Sequence, residues 1–238
     1  MEACKRTDPG KCWRHHHRRA INKIGHFALI FGAAFLACDT LYSQDADFPV
    51  VISGEQYLQQ FLDEVRTLQA EFSQELSDPE GQVVEIASGT MSIERPNRFL
   101  WLYRDPLEQL VLADGENLWI YDIELAQATV TPLSDVIEAT PAMLLSGDEA
   151  VRDGFSTLEN FSEDGLSWVR LAPNVSGSDF RSVLIGFKDG ELARLELIDG
   201  LEQITRIEFS EVSVNQILRT GLFNFDLPDG VDVIGQRR

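Results

Sequence analysis

The chain has very few cysteines, histidines and lysines outside its first 43 residues. All three cysteines and all four histidines lie in that segment, and Lys188 is the only lysine beyond it. A chain cleaved after Ser43 would therefore lack the side chains of Ser-His-Asp and Cys-His catalysis, of the usual zinc and copper sites, and of disulfide bonds. Lys188 lies in a predicted hairpin turn, where we expect a solvated amine and not a Schiff base. The sequence thus predicts a protein that is not an enzyme, with no catalytic residue, metal or cofactor.

Positive charge is also scarce. Lys and Arg total 20 against 39 Asp and Glu, which gives a formal net charge of −19. This charge repels phosphate backbones and anionic bilayers, so nucleic acid is excluded as a partner. The 9 prolines and 17 glycines are too few for a low-complexity chain. With 44% hydrophobic residues, the composition is that of a globular protein with a sizeable core.

Long apolar runs are absent after an early one, Phe27–Cys38, which is too short to span a bilayer comfortably. This run follows a basic segment and precedes small polar residues, the pattern of a secretory signal peptide. We therefore predict a signal peptide over residues 1–43 and a single exported domain over residues 44–238.

Two features of this leader admit other interpretations. Arg18 and Arg19 loosely resemble a twin-arginine signal. The tetrapeptide Phe35–Cys38 loosely resembles a lipobox, which would lead to lipidation of Cys38, but phenylalanine is unfavourable at its first position. The preferred interpretation of Cys38 is a small apolar residue of the leader.

After residue 50 the hydrophobic pattern changes from one helix to a series of strands. Ser53 and Gln56 form a capping-box signature. Behind it, apolar residues recur at helical spacing: Tyr57, Leu58, Phe61, Leu62 and Val65. Apolar and polar residues then alternate over residues 68–76, which predicts a strand with one wet face. A turn over Ser77–Gly81 leads to a second predicted strand, Val83–Glu94.

Short strands separated by turns continue along the rest of the chain. They are predicted over Asn97–Tyr103, Gln109–Ala113, Leu118–Tyr121, Gln127–Thr131, Trp168–Leu171, Ser182–Phe187, Leu192–Ile198, Gln203–Phe209 and Phe223–Leu227. With adjacent strands antiparallel, this many short strands predict a strongly curved sheet or barrel. Between the two halves, Thr140 as cap, Pro141 at the first helical position and Gly147 past the end predict a helix of one to two turns.

A curved sheet with an apolar concave face must fill its interior or cover it. The two predicted helices could form a removable cover, which would make the protein a container for an apolar ligand. The alternative is that the helices plug the sheet permanently.

Arg95 bears on this choice. On its strand Met91, Ile93 and Arg95 share one face, so an arginine replaces an expected apolar residue on the inner face. Its guanidinium could donate hydrogen bonds to carbonyls of the covering helices, with all five donors satisfied only when the cover is closed. The alternative is an arginine at the rim of the sheet that reaches water, since Pro96 ends regular strand pairing.

Six segments carry a specific pattern: Gly89–Trp101 with its Arg-Pro-Asn run, Asp105–Pro106, Val111–Gly115, Leu118–Asp122, Thr140–Leu145 and Phe225–Val233. Together they closely resemble the LolA family of periplasmic outer-membrane lipoprotein carriers. The resemblance implies a mainly β fold of the α+β type: an incomplete, strongly curved antiparallel β-barrel covered by a helical lid. It further implies a cavity for acyl chains and a monomeric chaperone that shuttles lipoproteins across the periplasm. Its partners would be an inner-membrane ABC-type releasing complex and the outer-membrane receptor LolB.

The resemblance also implies site residues. Arg95 would latch the lid through Leu62 and through the helical segment Ala142–Leu145, although Ala142 is small where relatives have bulkier residues. The acyl-chain cavity or its rim would be formed by Met91, Ile93, Phe99, Trp101, Met143 and Leu144. Two other functions remain as alternatives: a LolB-like anchored receptor if Cys38 is lipidated, or a periplasmic hydrolase that uses paired carboxylates.

Overall fold

One sheet of twelve β-strands makes up most of the residues that the structure, a computed structural model, describes, namely 52–135, 141–147, 153–174 and 178–237. The strands are β1 (Thr67–Ser77), β2 (Val83–Glu94), β3 (Arg98–Asp105), β4 (Gln109–Asp114), β5 (Asn117–Asp122), β6 (Gln127–Pro132), β7 (Phe155–Glu163), β8 (Leu166–Pro173), β9 (Phe180–Lys188), β10 (Glu191–Asp199), β11 (Ile204–Val214) and β12 (Asp232–Gly235). The helices are α1 (Gly54–Glu64) and α2 (Pro141–Ser146), with a 3₁₀ turn over Leu133–Asp135.

The sheet is open and curved, and most of its strands follow the order of the chain. In the described residues the order is β12-β6-β5-β4-β3-β2-β1-β11-β10-β9-β8-β7. Neighbours are antiparallel except for β12, which pairs in parallel with β6. β1 lies between β2 and β11, so the first strand joins two series of consecutive strands. The prediction of a curved antiparallel sheet with few helices is confirmed.

Helix α1 begins at the predicted capping box. The Gln56 amide N–H donates to Ser53 Oγ (3.2 Å), and the Ser53 N–H donates to Gln56 Oε1 (2.9 Å). The helix ends at Glu64, where Val65 takes an extended conformation. The predicted apolar stripe is buried at Leu58, Phe61 and Leu62. This stripe packs against β7, β8 and β9.

Helix α2 is short and is placed as its sequence predicts. It begins at Pro141, and Gly147 follows its last residue with φ +79°, a left-handed conformation that glycine adopts without a steric penalty. The predicted cap, Thr140, lies outside the described residues. Met143, Leu144 and Leu145 are buried, and the helix packs against β2 and β3. Within the described part of the chain, no helix is long and apolar enough to cross a membrane.

The two faces of the sheet bury different sets of residues. Strand register aligns Met91, Trp101 and Val111 in one row on the inner face, beneath the helices. The adjacent row, on the outer face, contains Leu112 and Trp119. These two residues and Val130 form a second apolar cluster, separate from the main core.

The second cluster is covered by the C-terminal arm, residues 215–237. Its Phe225 ring lies 5.0 Å from the Trp119 ring and 5.6 Å from the Tyr121 ring, measured between centroids. Arg237 places its guanidinium carbon 4.7 Å from the Trp119 ring centroid. Strand β12 then closes the arm onto β6. A Cβ on Gly235 would lie 2.0 Å from the Val130 carbonyl oxygen, so this close approach requires glycine.

One predicted strand is absent, and two of the strands in the described residues were not predicted. Phe223–Leu227 is not a strand: it lies across the outer face, and its alternating apolar residues face the sheet without forming a ladder. Strand β7 was not predicted, because it is a polar edge strand. Most of its residues are exposed, Leu158 included (61%), and a bulge after Thr157 breaks its alternation. Strand β12 was also not predicted, because it has only four residues and all four are exposed. It pairs with β6 in parallel, so the expectation of antiparallel neighbours fails there.

Candidate functional site

Arg95 directly follows β2, at the end of the inner row that contains Met91 and Ile93. Its backbone N–H donates to the Arg66 carbonyl oxygen (2.9 Å), which ties the end of β2 to the segment between α1 and β1. Met91 and Ile93 are each 1% exposed, whereas Arg95 is half-buried. The side chain therefore begins at the apolar interior and reaches the ends of both helices.

The guanidinium joins α1 to α2 through main-chain carbonyls. Nη1 donates to the carbonyl oxygens of Phe61 (2.7 Å), Leu62 (3.2 Å) and Val65. Nε and Nη2 both donate to the Leu145 carbonyl oxygen, at 3.3 and 2.8 Å. Carbonyls in the last turn of a helix have no partner within the helix. One side chain thus provides donors to main-chain carbonyls at the ends of two helices at once, and the Phe61 carbonyl also accepts from the Val65 N–H (3.2 Å).

Two further features favour the cation at this position. Both helices direct the negative ends of their dipoles toward it. The guanidinium carbon also lies 4.6 Å from the centroid of the Phe61 ring, within the range of a cation–π interaction. Gly147, just past α2, leaves the necessary space, because a Cβ there would lie 2.7 Å from Arg95 Cδ and Nε.

The predicted cavity residues all lie in one apolar cluster beneath the helices. They are Met91, Ile93, Phe99, Trp101, Met143 and Leu144, none more than 6% exposed. The Trp101 ring lies 5.0 Å from Phe72 and 6.2 Å from Phe209. Its Nε1 is buried and has no hydrogen-bond partner among the described residues. The interior is thus closed and aromatic-rich, and it includes one buried donor that remains unsatisfied.

The far end of the interior is more polar. Tyr103 donates from its hydroxyl to Gln74 Oε1 (3.1 Å). Burial, together with the negative charge of Glu85, raises the pKa of Tyr103 to about 12. The inner face therefore changes from aliphatic and aromatic contacts under the helices to a half-buried tyrosine with a hydrogen-bonded hydroxyl at the opposite end.

The structure brings Leu62 and Leu145 of the predicted latch residues to Arg95, and the contacts are hydrogen bonds to main-chain carbonyl oxygens. Leu62 and Leu145 meet Arg95 with their carbonyl oxygens, while their side chains are buried in the core. The side chain of Ala142 lies outside the described residues. Sequence reasoning missed the carbonyls of Phe61 and Val65. Their only signal was position, since both lie in or just after the last turn of the predicted helix.

Fold and site together define a class of protein: a curved antiparallel sheet whose apolar concave face is closed by two helices, with one arginine bonded to both. The model of the family described as outer membrane lipoprotein carrier protein LolA matches residues 63–226 of this chain. The chain belongs to the LolA family.

Two proteins described as outer-membrane lipoprotein carriers are similar to this chain over most of its length. An outer-membrane lipoprotein carrier protein of Nitrosospira multiformis is 42% identical over 180 residues, which is 75% of this chain and 87% of that protein. The protein of the same description from Halorhodospira halophila is 42% identical over 178 residues, covering 75% of this chain and 84% of its own. The crystal structure of a LolA superfamily protein from Nitrosomonas europaea aligns with a TM-score of 0.43 at 12% identity, over 74% of this chain and 99% of the other.

Proposed function

We propose that this protein is a periplasmic chaperone that binds the acyl chains of lipoproteins released from the inner membrane and delivers them to an outer-membrane receptor. Its relatives are named outer-membrane lipoprotein carrier proteins. The observation that most supports the proposal is the set of hydrogen bonds from Arg95 to the main chain of both helices, above an apolar interior. This arrangement fits a cover whose hydrogen bonds to Arg95 can be exchanged for water when the helices move away from the sheet.

Transfer energetics explain why such a carrier is needed. Each buried methylene of an acyl chain contributes roughly 0.8 kcal/mol, so a lipoprotein does not cross an aqueous compartment unaided. A carrier without an energy source must also release its ligand. The hydrogen bonds of Arg95 stabilise the closed, empty protein and therefore compete with bound lipid, which keeps the affinity moderate.

The partners follow from the same family membership. We propose that an inner-membrane ABC-type complex loads the carrier, and that LolB receives the lipoprotein from it. The excess of acidic residues keeps the loaded protein off anionic bilayers and favours basic surfaces on both partners. In this role the protein acts as a monomer and catalyses no reaction.

Residues 1–43 are proposed to be a cleaved signal peptide, with residues 44–238 as one mature domain. Mass spectrometry of the protein purified from the periplasm tests this directly. The expected product begins near residue 44, is not acylated at cysteine and co-purifies with acylated cargo. A diacylglyceryl group on Cys38 would instead identify an anchored, LolB-like receptor.

The Arg95→Leu variant tests the role of the arginine. It removes the hydrogen bonds that favour the closed state and adds apolar surface, so bound lipid is retained more tightly. Each net hydrogen bond from a charged donor contributes about 1.5–3 kcal/mol, so we expect at least about tenfold tighter retention. The variant should load normally and transfer a labelled lipoprotein poorly to the receptor.

Arg98→Leu is the matched control. Arg98 is three residues away, and its ion pair with Glu94 (3.1 Å) is about half exposed, where such pairs contribute little. Its transfer should match that of the wild type. Equal transfer by Arg95→Leu and wild type would rule out a latch.

A further inference from the structure

Asn215, the first residue after β11, is exposed and forms hydrogen bonds with its side chain to the segment between α1 and β1. Its Oδ1 accepts a hydrogen bond from the Arg66 amide N–H (2.7 Å). Its Nδ2 donates to the Glu64 carbonyl oxygen (3.2 Å). One side-chain amide thus binds the last residue of the helix and the residue that precedes the strand, separated in sequence from both by about 150 positions.

The backbone of Asn215 is itself held in place. Its N–H donates to the Thr67 carbonyl oxygen (2.8 Å), and Thr67 Oγ1 donates to the Gln216 carbonyl oxygen (2.7 Å). Asn215 has φ +57°, in the left-handed region that asparagine tolerates better than most residues. The amide is therefore presented to the helix end by a fixed turn and does not reach it from a free loop.

The same short segment also meets Arg95. The Arg66 carbonyl accepts from the Arg95 backbone while the Arg66 N–H donates to Asn215. The Val65 carbonyl accepts from the guanidinium. The segment between α1 and β1 is thus bonded on one side by Arg95 and on the other by Asn215, and the two residues share Arg66 as a common partner.

We propose that Asn215 is a positioning residue for the lid: it holds the last turn of α1 so that the carbonyls of Phe61, Leu62 and Val65 converge on the Arg95 guanidinium. The reason is geometric. The last turn of a helix frays easily because its carbonyls lack partners within the helix. Fraying would spread the three acceptors that one nitrogen of Arg95 uses together. This inference rests on the proposed carrier function.

Asn215→Gly is the primary test, because glycine accepts the positive φ and removes only the amide. Two neutral hydrogen bonds are lost, so we expect retention of a fluorescent palmitoylated peptide to tighten by about three- to tenfold, in the same direction as for Arg95→Leu. Hydrogen exchange of the Arg66 amide should become faster. Asn215→Asp keeps the acceptor for Arg66 but replaces the donor to Glu64 with an oxygen, so it should show at least the same tightening.

Gln216→Ala is the matched control. This neighbouring side chain donates only to the Val214 carbonyl within its own turn (3.2 Å) among the bonds in the described residues. Its peptide retention should stay within about twofold of the wild type. An equal effect of Asn215→Gly and Gln216→Ala would overturn the proposal.

A double-mutant cycle separates positioning from a general effect on stability. If Asn215 acts through Arg95, Asn215→Gly should change retention by less than about twofold when Arg95→Leu is already present. Independent, additive effects would overturn the proposal, as would a lower urea midpoint with unchanged retention. Failure of the wild type to bind the peptide would contradict the carrier function instead. Faster exchange at Arg66 in Asn215→Gly would in that case still show that Asn215 holds the end of α1.

Discussion

The sheet is covered on both faces, and the two covers are held by different chemistry. On the inner face, two helices are joined by hydrogen bonds from one guanidinium to main-chain carbonyls. On the outer face, the C-terminal arm is held by the Phe225 ring on Trp119 and by the ladder between β12 and β6. Both covers bury apolar surface.

The difference indicates which cover can open. A guanidinium can exchange its carbonyl partners for water when it is displaced, and the apolar side chains that the helices then uncover can be covered again by a bound acyl chain. Moving the outer arm would expose aromatic surface and break a β-ladder at the same time. We therefore expect ligand binding to depend on the inner cover and global stability to depend on the outer one.

The largest expected effect comes from Phe225→Ala. Truncating a buried phenylalanine costs about 3–5 kcal/mol, and Phe225 is only partly buried, so we expect the free energy of unfolding to fall by about 2–3 kcal/mol. Retention of an acylated peptide should stay within about twofold of the wild type. Urea unfolding and peptide release measure the two quantities. Ile217→Ala, which alters a fully exposed apolar residue of the same arm, should change neither. Tighter or weaker retention in Phe225→Ala would remove the distinction between the covers.

A smaller effect should appear at high pH and should originate on the inner face. Burial, with a further contribution from Glu85, raises the pKa of Tyr103 from 10.0 to about 12. The unfolded chain therefore loses this proton first as pH rises. The contribution of the neutral Tyr103 to the free energy of unfolding should be fully present below pH 10. The free energy of unfolding should then fall by roughly 2 kcal/mol as pH approaches 12. Unfolding by urea across this range measures the loss.

Tyr103→Phe removes the titrating group, so its stability should lose this part of the pH dependence. Tyr121→Phe, an alteration in the outer cluster, should keep the slope of the wild type. The same slope in wild type and Tyr103→Phe would mean that the high-pH loss arises elsewhere in the molecule.

The smallest expected effect concerns the outer face at low pH. Burial of Asp114 opposes its ionisation, but hydrogen bonds from the Asn117 N–H (2.7 Å), the Trp119 indole (2.9 Å) and the Glu116 N–H (2.8 Å) outweigh it and hold the pKa of Asp114 below its usual value. The ionised Asp114 therefore stabilises the folded protein at neutral pH, and this stabilisation is lost as pH falls through the lowered pKa.

Asp114→Asn should therefore cost about 1 kcal/mol of unfolding free energy at neutral pH and should be less sensitive to acid than the wild type. Lipid retention should not change. A variant as acid-sensitive as the wild type would show that Asp114 does not account for the acid response.

Much of the fold follows from the sequence because alternation and turn residues are local signals. The capping box of Ser53 and Gln56 and the change of period at Leu68 are both realised in α1 and β1. The segment Phe223–Leu227 was wrongly predicted as a strand because its apolar and polar residues alternate. Alternation shows only that one side of a segment faces the protein, and an extended arm that lies on a sheet has the same pattern as a strand. Strand β7 gave no alternation because neither of its faces is well buried.

The sequence could predict the donor of the candidate site but not all of its acceptors. Arg95 stood out as a charged residue in an apolar inward row, next to Ile93. Its partners could not be identified by residue type, because every residue provides a carbonyl. The hydrogen bonds of Asn215 could not be predicted for another reason. Their partners, Glu64 and Arg66, lie far away in the sequence, and only the pairing of β1 with β11 brings them close to Asn215.

That pairing also constrains how the chain can fold. Leu68 lies opposite Val214, so the central ladder of the sheet closes a loop that contains most of the described residues. In the described sheet, all other antiparallel ladders join strands that follow one another along the chain, so these ladders can form locally. A chain that emerges with its N-terminus first cannot complete this ladder until β11 is out, and contacts so distant in sequence are slow to form. During that interval β1 has a free edge and an uncovered apolar face, the kind of surface that aggregates. Folding of this protein should therefore be limited by the late arrival of one strand, and its nascent chain should need protection until then.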